Sequence, residues 1–543
     1  MPINANNLEH HATVQTDICI IGCGTAGIAL AREFIGQPFR VSILESGGLN
    51  PDRENQLLNW GENVGYPYYS LDTARPRYIG GSTNRWHLKV NNICQGARMR
   101  PLEEIDFLER DWVPHSGWPF EKGTLNSYYD RAQKVCKITP LSFETKDWED
   151  SIISPRLQLS EDSFETVIFK FGSKYPFLND YVNDLNRSDN VDIYINSSVT
   201  EIITEKSGNS VSRINVTATN GKSFSVLAKV FILSAGAIEN ARLLLVSRSV
   251  QNSGLGNHYD LVGRYFMEHP HCQSGIFVPS VKALSLPLSL YRSVHLVNGV
   301  SVIGKLGFTE NTLRRDRLLG HVFELYPKIV LTSSLKKYPL INSPSVLALR
   351  DLLGRRFHSP RNQLKTVLSG LEDIATTLYR RSKSRFSSIV SRKRIPVFEL
   401  RSMSEQIPNP DSRVILSDEK DSLGVQRIKL DWKLDAQDIR SIVKAHELLD
   451  KTLKKEGLGR VFLQLYEENP SKGISGGWHH MGTTRMHKDP RMGVVDEHCK
   501  VHGLSNLFIA GPYVFPTGGY ANPVLTIVAL SIKLADHVKR FMS

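Results

Sequence analysis

A buried strand, a glycine-rich turn and a helix follow one another near the N-terminus, and this unit constrains the fold more than any other feature. The four apolar residues 18–21 are typical of a buried strand. Gly22, Gly24 and Gly27 follow in a G-x-G-x-x-G spacing, and 28–34 has a helical pattern. In such units the first glycine permits a tight turn, the second lets a pyrophosphate reach the backbone, and the third lets helix and strand pack closely. We therefore predict a dinucleotide-binding unit.

A second strand ends on an acidic residue where dinucleotide-binding units hold a ribose. This strand covers 41–44, and Glu45 lies twenty-three positions after Gly22. A carboxylate there accepts hydrogen bonds from ribose, while the N–H groups at the start of the preceding helix attract phosphates. The residues assigned to the same site are Thr25, Ala26 and Ser46. This unit alone leaves open whether the dinucleotide is FAD or NAD.

Length and composition indicate a soluble protein of two or three domains. The chain has 543 residues, with 41% hydrophobic and 22% charged residues. Residues 1–16 are polar and lack the features of a secretory signal. Nowhere is there a run of about eighteen uncharged apolar residues, as a membrane span needs. The six cysteines are scattered without a zinc spacing. We predict a cytoplasmic protein with no metal site.

One segment carries most of the excess charge. Residues 336–394 contain fourteen basic and three acidic residues, a net charge of +11 out of +12 for the whole chain. Parts of this segment show helical apolar spacing, and a basic amphipathic helix can lie on an anionic membrane or dock a partner. The composition favours the alternative, a solvated basic insertion. No recognition motif accompanies the charge, so we expect no nucleic-acid partner. The oligomeric state stays open.

Further strands and one loop extend the nucleotide-binding pattern. Gly80-Gly81 precede Ser82-Thr83-Asn84, which suits a backbone pressed against a flat ligand, although an ordinary turn has the same composition. The segment 230–237 is a buried strand ending in small residues, and a helix over 238–247 follows. These would complete a doubly wound sheet. The β-rich segments 302–330 and 397–429 indicate a second, antiparallel domain, and 437–456 a charged amphipathic helix.

The C-terminal quarter contains the candidate chemistry. His479 and His480 precede Gly482-Thr483, and 507–510 forms a last sheet strand. Asn522-Pro523 then predicts the start of a helix over 524–539, with asparagine at the N-cap and proline in the first turn. A histidine suits proton abstraction from an alcohol because its ordinary pKa lies near working pH. A helix N-terminus stabilises negative charge developing on a flavin. Spacing alone does not choose between the two histidines, and either can be structural.

Four stretches together resemble the glucose–methanol–choline (GMC) family of flavin oxidoreductases. They are the N-terminal glycine unit, the loop 80–84, the segment 479–483, and the segment 514–523. The resemblance covers most of the chain and fades between about 275 and 400. More narrowly, Gly-Gly-Ser-Thr-Asn and Met-Gly-Thr-Thr-Arg-Met resemble the branch that holds pyranose oxidase and bacterial sugar or polyol dehydrogenases.

The resemblance implies FAD and specific roles for residues. The family's catalytic histidine stands three residues before the Gly-Thr pair, which selects His479, and its partner just before the last helix is Asn522. The resemblance also places Glu45 on the adenosine ribose and Val199 near the adenine. The other residues expected along the cofactor are Gly81, Asn84, Ala235, Gly511, Asn522 and Pro523.

Two departures from the family pattern affect the cofactor. Some members of this branch attach flavin through a histidine where this chain has Arg85, so we predict dissociable, non-covalent FAD. Many members carry an aspartate near the pyrophosphate where this chain has Gly511, which would weaken the phosphate contacts unless Tyr513 or backbone N–H groups compensate.

The predicted fold is an α/β, Rossmann-like FAD-binding domain with a doubly wound sheet, joined to an α+β substrate domain with an antiparallel sheet, as in the p-hydroxybenzoate hydroxylase-like architecture. The FAD-binding domain is expected at 14–270 and 471–543. The substrate-binding domain is expected at 271–470, with the basic insertion at 336–394.

The predicted activity is FAD-dependent oxidation of a CH–OH group of an alcohol, a sugar, cyclitol or polyol. In this prediction His479 takes the hydroxyl proton, hydride passes to flavin N5, and Asn522 helps to hold the substrate oxygen. The alternatives are a non-redox flavin lyase of the same family, an NAD-dependent dehydrogenase, and a membrane-associated or partner-bound electron-transfer subunit. Sequence leaves the particular alcohol and the electron acceptor open.

Overall fold

A computed structural model describes most of the chain, and its described part contains a parallel sheet, a large antiparallel sheet and three smaller sheets. The described residues are 1–90, 93–139, 142–148, 156–157, 159, 163–173, 176–280, 283, 288–331, 394–463 and 473–543. The predicted fold class is confirmed: a parallel sheet flanked by helices lies beside a large antiparallel sheet.

The parallel sheet holds the N-terminal glycine unit at its centre. Its described strands pair in parallel throughout, in the order Ile3–Asn4, Val191–Ile195, Val41–Leu44, Ile18–Ile21, Val230–Leu233 and Leu507–Ile509. Ile18–Ile21 is buried on both faces, as its unbroken apolar run predicts. The carboxyl ends of neighbouring strands therefore open onto one edge, where ligands bind in folds of this type.

Helices pack beside this sheet, and the glycine-unit helix contacts two of its strands directly. The long C-terminal helix packs against the glycine-unit helix and a third helix. The described α-helices are Thr25–Arg32, Arg53–Leu57, Leu71–Ala74, Glu104–Phe107, Asn126–Val135, Val182–Arg187, Ala237–Val246, Ser289–Arg292, Glu310–Asp316, Ala436–Lys455 and Val524–Met542. Shorter turns of 3-10 or π geometry cover Ala5–Asn7, Gly81–Arg85, Lys122–Leu125, Thr145–Trp148, Pro176–Tyr181 and Pro512–Val514.

The antiparallel sheet forms the second layer. Its main described strands run in the order Gly459–Leu463, His271–Pro279, Arg394–Ser404, His321–Leu331, Val300–Phe308, Phe164–Phe171 and Arg98–Met99. His295–Val297 and Ile474–Ser475 pair at its side. Smaller sheets contain Ser197–Thr204, Val211–Ala218, Ser223–Leu227 and Thr13–Gln15; Arg413–Lys420, Gln426–Asp431 and Glu62–Asn63; and Leu88–Val90 with Ile93–Gln95.

The start of the last helix differs from the sequence prediction. The helix begins at Val524 with Pro523 at its N-cap, and Pro523 has helical backbone angles. The predicted N-cap role of Asn522 is therefore wrong by one residue. The reason lies in tertiary contacts, because the Asn522 side chain bonds to Arg98 and His479 rather than to the helix backbone.

Two of the sequence predictions lie beyond what the described residues test. The segment 336–393 of the predicted basic insertion lies outside the described residues. The domain boundaries stay predictions; the strands Arg98–Met99 and Phe164–Phe171, which fall within 14–270, pair into the antiparallel sheet. Within the described ranges no helix is long and apolar enough to cross a bilayer.

Candidate active site

The three glycines of the N-terminal turn meet three different surroundings. Gly22 has φ +106°, and a Cβ there would lie 2.7 Å from the Ser234 carbonyl oxygen. A Cβ on Gly27 would lie 2.1 Å from the Gly22 carbonyl oxygen, so this glycine permits close helix–strand packing. A Cβ on Gly24 would meet no described atom within 4 Å. Gly24 instead opens into a cleft of about 1250 Å³, counted with its open mouth.

The Glu45 carboxylate is fixed at the end of its strand by backbone donors. Its Oε2 accepts from the Cys23 N–H at 3.0 Å, and its Oε1 accepts from the Gly47 N–H at 3.0 Å. Oε1 also accepts from the Ser46 hydroxyl at 3.4 Å, so the further lone pair is on Oε2, and Glu45 lines the cleft. Ser46 also lines it and accepts from the Arg77 guanidinium at 3.1 Å, a neighbour that sequence analysis missed.

Most of the other predicted cofactor residues line the same cleft. These are Gly22, Thr25, Ala26, Gly81, Val199, Ala235 and Pro523. Asn84 is off the cleft wall, and its amide donates to the Ile79 carbonyl at 2.9 Å. Gly511 is also off the wall. A Cβ there would lie 2.2 Å from the Tyr513 ring, so the small residue makes room for Tyr513, which lines the cleft.

These features fit a bound dinucleotide. A glycine turn opens into the cleft, a carboxylate with free acceptor capacity stands at one end, and the helix Thr25–Arg32 begins at the turn with no side-chain cap on its N-terminal N–H groups. Such N–H groups favour phosphate oxygens. Within the described ranges, no cluster of His, Cys, Asp or Glu side chains is arranged to hold a metal ion.

His479 and Asn522 come together although 43 positions separate them. The Asn522 amide nitrogen lies 3.1 Å from His479 Nε2. His479 lines the cleft, and Asn522 is 8% exposed just before the last helix. Neighbouring Trp478 has φ +58° and stacks on Tyr69 with ring centres 4.5 Å apart. The structure thus brings together the two residues predicted for catalysis.

Arg98 determines how these groups share their protons. Its Nε donates to Asn522 Oδ1 at 2.9 Å, and arginine has only donors. The Asn522 oxygen must therefore face Arg98, and its NH₂ group donates to His479 Nε2. It follows that the His479 proton sits on Nδ1, which donates to His269 Nδ1 at 2.9 Å. His269 in turn directs Nε2 toward the Gly518 carbonyl oxygen at 3.3 Å.

This chain of hydrogen bonds leaves Nε2 of His479 as an acceptor. Burial, followed by the positive charges of neighbouring groups, holds the pKa of His479 well below its ordinary value of 6.5. Burial also lowers the pKa of His269 to about 4. Both rings are therefore neutral near pH 7, and a neutral His479 with a lone pair on Nε2 has the form of a general base.

A buried carboxylate orders the backbone around the histidines. Glu268 accepts from the N–H groups of His479 at 2.8 Å and Gly477 at 3.0 Å, and also from the Tyr68 hydroxyl. Burial raises the pKa of Glu268 to about 7, against the effect of these bonds. Tyr68 also contacts His480 Nε2 at 2.7 Å, so the His480 ring bonds to Tyr68, whereas the His479 ring bonds to Asn522 and His269.

Sequence reasoning missed Arg98, Glu268 and His269. A signal existed for the last two, because Glu268-His269-Pro270-His271 concentrates titratable side chains just before a buried strand. No sequence signal pointed to Arg98, because it lies in a strand of two residues, which is too short to show a periodic pattern.

A cleft built on a glycine turn, with a neutral base at its wall, defines the class of dinucleotide-dependent oxidoreductases. Sequence profiles of that class agree. The profile for the N-terminal part of GMC oxidoreductases matches residues 158–271, and the profile for the C-terminal part matches residues 408–531. The chain belongs to the GMC oxidoreductase family, whose members are FAD-dependent enzymes.

Curated relatives in this family are distant. The fructose dehydrogenase large subunit of Gluconobacter japonicus is 23% identical over 61% of this chain and 51% of its own length. The paromamine 6'-oxidase of Streptomyces fradiae is 27% identical over 58% and 46%, so the chain matches about half the length of each of these two. The 2-methyl-1,2-propanediol dehydrogenase of Mycolicibacterium austroafricanum is 23% identical over 97% and 96%.

Solved structures share the fold over nearly the whole chain. The pyridoxine 4-oxidase of Mesorbium loti has a TM-score of 0.51 at 16% identity, covering 96% of this chain and 99% of that one. A formate oxidase has a TM-score of 0.54 at 15% identity, covering 98% and 99%. At these identities the likeness concerns the fold alone.

Proposed function

We propose that this protein is an FAD-dependent oxidoreductase that oxidises a CH–OH group of an alcohol, with sugars, cyclitols and other polyols as the substrate class. One observation carries the proposal: the Asn522 amide and the unprotonated Nε2 of His479 meet at 3.1 Å beside the glycine-lined cleft. The relatives named above support the substrate class, because fructose and a propanediol are both alcohols.

In the proposed reaction the substrate hydroxyl replaces the Asn522 amide at His479 Nε2, whose single lone pair then takes the hydroxyl proton. The Asn522 NH₂ group, released from His479, donates to the substrate oxygen. Arg98 keeps that amide from rotating, and His269 keeps the His479 proton on Nδ1. FAD, when bound, supplies the acceptor for the hydride that leaves the substrate carbon. The residues that would hold it are those of the glycine turn, together with Glu45.

The proposed FAD is dissociable. Arg85 occupies the position at which some relatives of this branch carry the flavin-linking histidine, and its guanidinium donates to the Thr73 carbonyl oxygen. A guanidinium held in this way has no nucleophilic nitrogen for a bond to flavin.

The test is anaerobic reduction of the purified yellow protein by a panel of alcohols and sugars, followed through the visible flavin band. His479→Ala should lower the limiting rate by about 10²–10⁴-fold, the usual contribution of a general base. The matched control is His498→Ala, at an exposed position against His537, and it should reduce at the wild-type rate.

Three results would contradict the proposal. Reduction of His479→Ala at the wild-type rate would remove the assigned base. A yellow wild-type protein that no alcohol or sugar bleaches would instead favour a non-redox flavin lyase. A colourless protein that binds NAD would place it among the nicotinamide enzymes.

A further inference from the structure

A buried cluster of charged side chains lies beside the His479–Asn522 pair, on the antiparallel sheet. Arg98, Lys305 and Glu324 come from three different strands of that sheet. The Arg98 guanidinium carbon lies 5.3 Å from the centre of the Phe169 ring, and Lys305 Nζ lies 5.0 Å from it. Both cations therefore occupy one face of the sheet, around a single aromatic ring.

The cluster holds more positive than negative charge. Arg98 is 7% exposed and Lys305 is 2% exposed. Both approach the same oxygen, Oε2 of Glu324, at 3.4 Å each. Charge-assisted N–H···O bonds are ordinarily about 2.7–2.9 Å, so neither cation has a close carboxylate partner in this cluster. One carboxylate set against two buried basic groups leaves an excess of one positive charge whenever Lys305 is protonated.

Such an excess is costly without an anion. A buried charge lacking a close partner carries a desolvation penalty. Burial, with a further contribution from Arg98, lowers the pKa of Lys305 to about 7, which expresses the same penalty. The hydrogen bond from Arg98 to Asn522 explains why an arginine stands there. It does not explain Lys305, whose hydrogen-bond partner among the described residues is the Glu324 oxygen that Arg98 also approaches.

The excess charge lies close to the reacting end of the site. Arg98 Nε donates to Asn522 at 2.9 Å, and Asn522 donates to His479. His271 begins the strand His271–Pro279, and the centre of its ring lies 5.9 Å from the centre of the His479 ring. Arg98 thus connects the charged cluster to His479 through Asn522, and the Glu324 side chain, 24% exposed, leaves one part of the cluster accessible.

We propose that Lys305 and Arg98 form an anion subsite, and that the substrate is a hydroxy acid of the sugar-acid type, whose carboxylate lies at Lys305 while its CH–OH group lies at His479. This inference rests on the proposed function for the reaction, but not for anion binding. In the reaction the hydroxyl proton goes to His479, the hydride with its two electrons goes to FAD, and the carboxylate is unchanged. A neutral polyol would leave the excess charge uncompensated, which favours the acid.

The first experiment uses the wild-type holoenzyme. Butanoate, a monocarboxylate without a hydroxyl group, is titrated while the visible flavin spectrum is recorded, with 1-butanol as the neutral counterpart. Butanoate should perturb the spectrum with saturation and compete with substrate, whereas 1-butanol should bind at least tenfold more weakly. Anaerobic reduction by D-gluconate and D-glucitol, and by D-glycerate and glycerol, gives kcat/KM for acid and neutral compounds of the same carbon chain.

The second experiment replaces Lys305. Lys305→Met keeps the Arg98–Asn522 bond and leaves Arg98 paired one-to-one with Glu324, so it separates anion binding from the placement of Asn522. It should weaken butanoate about 10- to 100-fold and lower the acid-to-neutral ratio of kcat/KM by a similar factor, the loss expected for removing one charged hydrogen-bond partner. The matched control is Lys229→Met, a surface lysine paired with Asp17, which should leave both quantities unchanged.

The outcomes separate the two proposals. If alditols reduce the flavin but butanoate neither binds nor competes in the wild type, the anion subsite is refuted and the proposed function stands. If butanoate binds in a Lys305-dependent manner but no alcohol reduces the flavin, the subsite stands and the proposed function falls. The wild-type titration decides the question even if Lys305→Met fails to retain flavin. Equal butanoate affinity in a folded, yellow Lys305→Met would overturn the assignment to Lys305.

Discussion

The placement of the His479 proton can be tested by removing its acceptor. His269 is fully buried, and its Nδ1 accepts the Nδ1–H of His479 at 2.9 Å. In His269→Phe this N–H loses its partner. The alternative tautomer, with the proton on Nε2, would oppose the Asn522 NH₂ group, which Arg98 holds in place. In the variant, His479 therefore has either an Nδ1–H without a partner or a protonated Nε2 that cannot take a proton from the substrate.

The size of the effect follows from that choice. A buried donor without a partner costs about 1–3 kcal/mol, and 1.4 kcal/mol corresponds to about tenfold in rate. We therefore expect His269→Phe to lower the limiting rate of flavin reduction about 5- to 150-fold. Substrate binding should change less, because His269 acts through His479. His269→Asn, whose side-chain oxygen can take the place of Nδ1, should recover the rate to within about threefold of wild type.

The assay is anaerobic stopped-flow reduction over a range of substrate concentrations, which separates the limiting rate from substrate affinity. The visible flavin spectrum and FAD content of each variant show whether the cleft is intact. A His269→Phe protein that holds FAD and reduces within twofold of wild type would refute the reasoning. So would a His269→Asn protein that is as slow as His269→Phe.

The remaining predictions concern the cofactor and pH. Gly511→Ala should destabilise the protein by about 1–3 kcal/mol because its backbone lies in a region that favours glycine, and by about 1–3 kcal/mol more because the new Cβ displaces the Tyr513 ring. In a Tyr513→Ala background, thermal unfolding should show that the loss due to the ring contact has vanished. An equal loss of stability in both backgrounds would contradict the contact. Because Arg85 replaces the linking histidine, acid precipitation should leave the flavin in solution, and a yellow pellet would disprove this. Because the pKa of His479 lies well below 6.5, the neutral base is present above that lowered pKa. An acid limb near pH 7 in reduction by a neutral alcohol should therefore belong to Glu268 and vanish in Glu268→Gln, and a limb at or above pH 6.5 that persists in that variant would contradict the assignment.

The elements with strong local patterns could be predicted from sequence to within a few residues. Both strands of the glycine unit have the predicted bounds, and the helix predicted over 437–456 is Ala436–Lys455. Their apolar spacing and turn residues lie within a short window of the chain. The helix after the glycine turn begins at Thr25, earlier than the predicted Ile28, because the last residues of the glycine motif already belong to the first turn of the helix.

The site was less predictable because its contacts are distant in sequence. Asn522 was expected to cap the last helix, as local propensity favours, but Arg98 binds its side chain from 424 positions away. Capping propensities consider only residues near the helix end, so they cannot include a hydrogen bond from a distant arginine. His479 was selected through a family motif, whereas its acceptor His269 belongs to another segment and became visible only when both rings were placed in space.

The bond between Arg98 and Asn522 also has a consequence for biosynthesis. Arg98 emerges from the ribosome early, and Asn522 follows 424 residues later, after the strand Leu507–Ile509. The proposed catalytic pair therefore cannot assemble on a nascent chain until Asn522 has been synthesised. A chain truncated before Asn522 would present Arg98 and His479 without the amide that joins them, so premature termination should yield inactive product rather than a partly active enzyme.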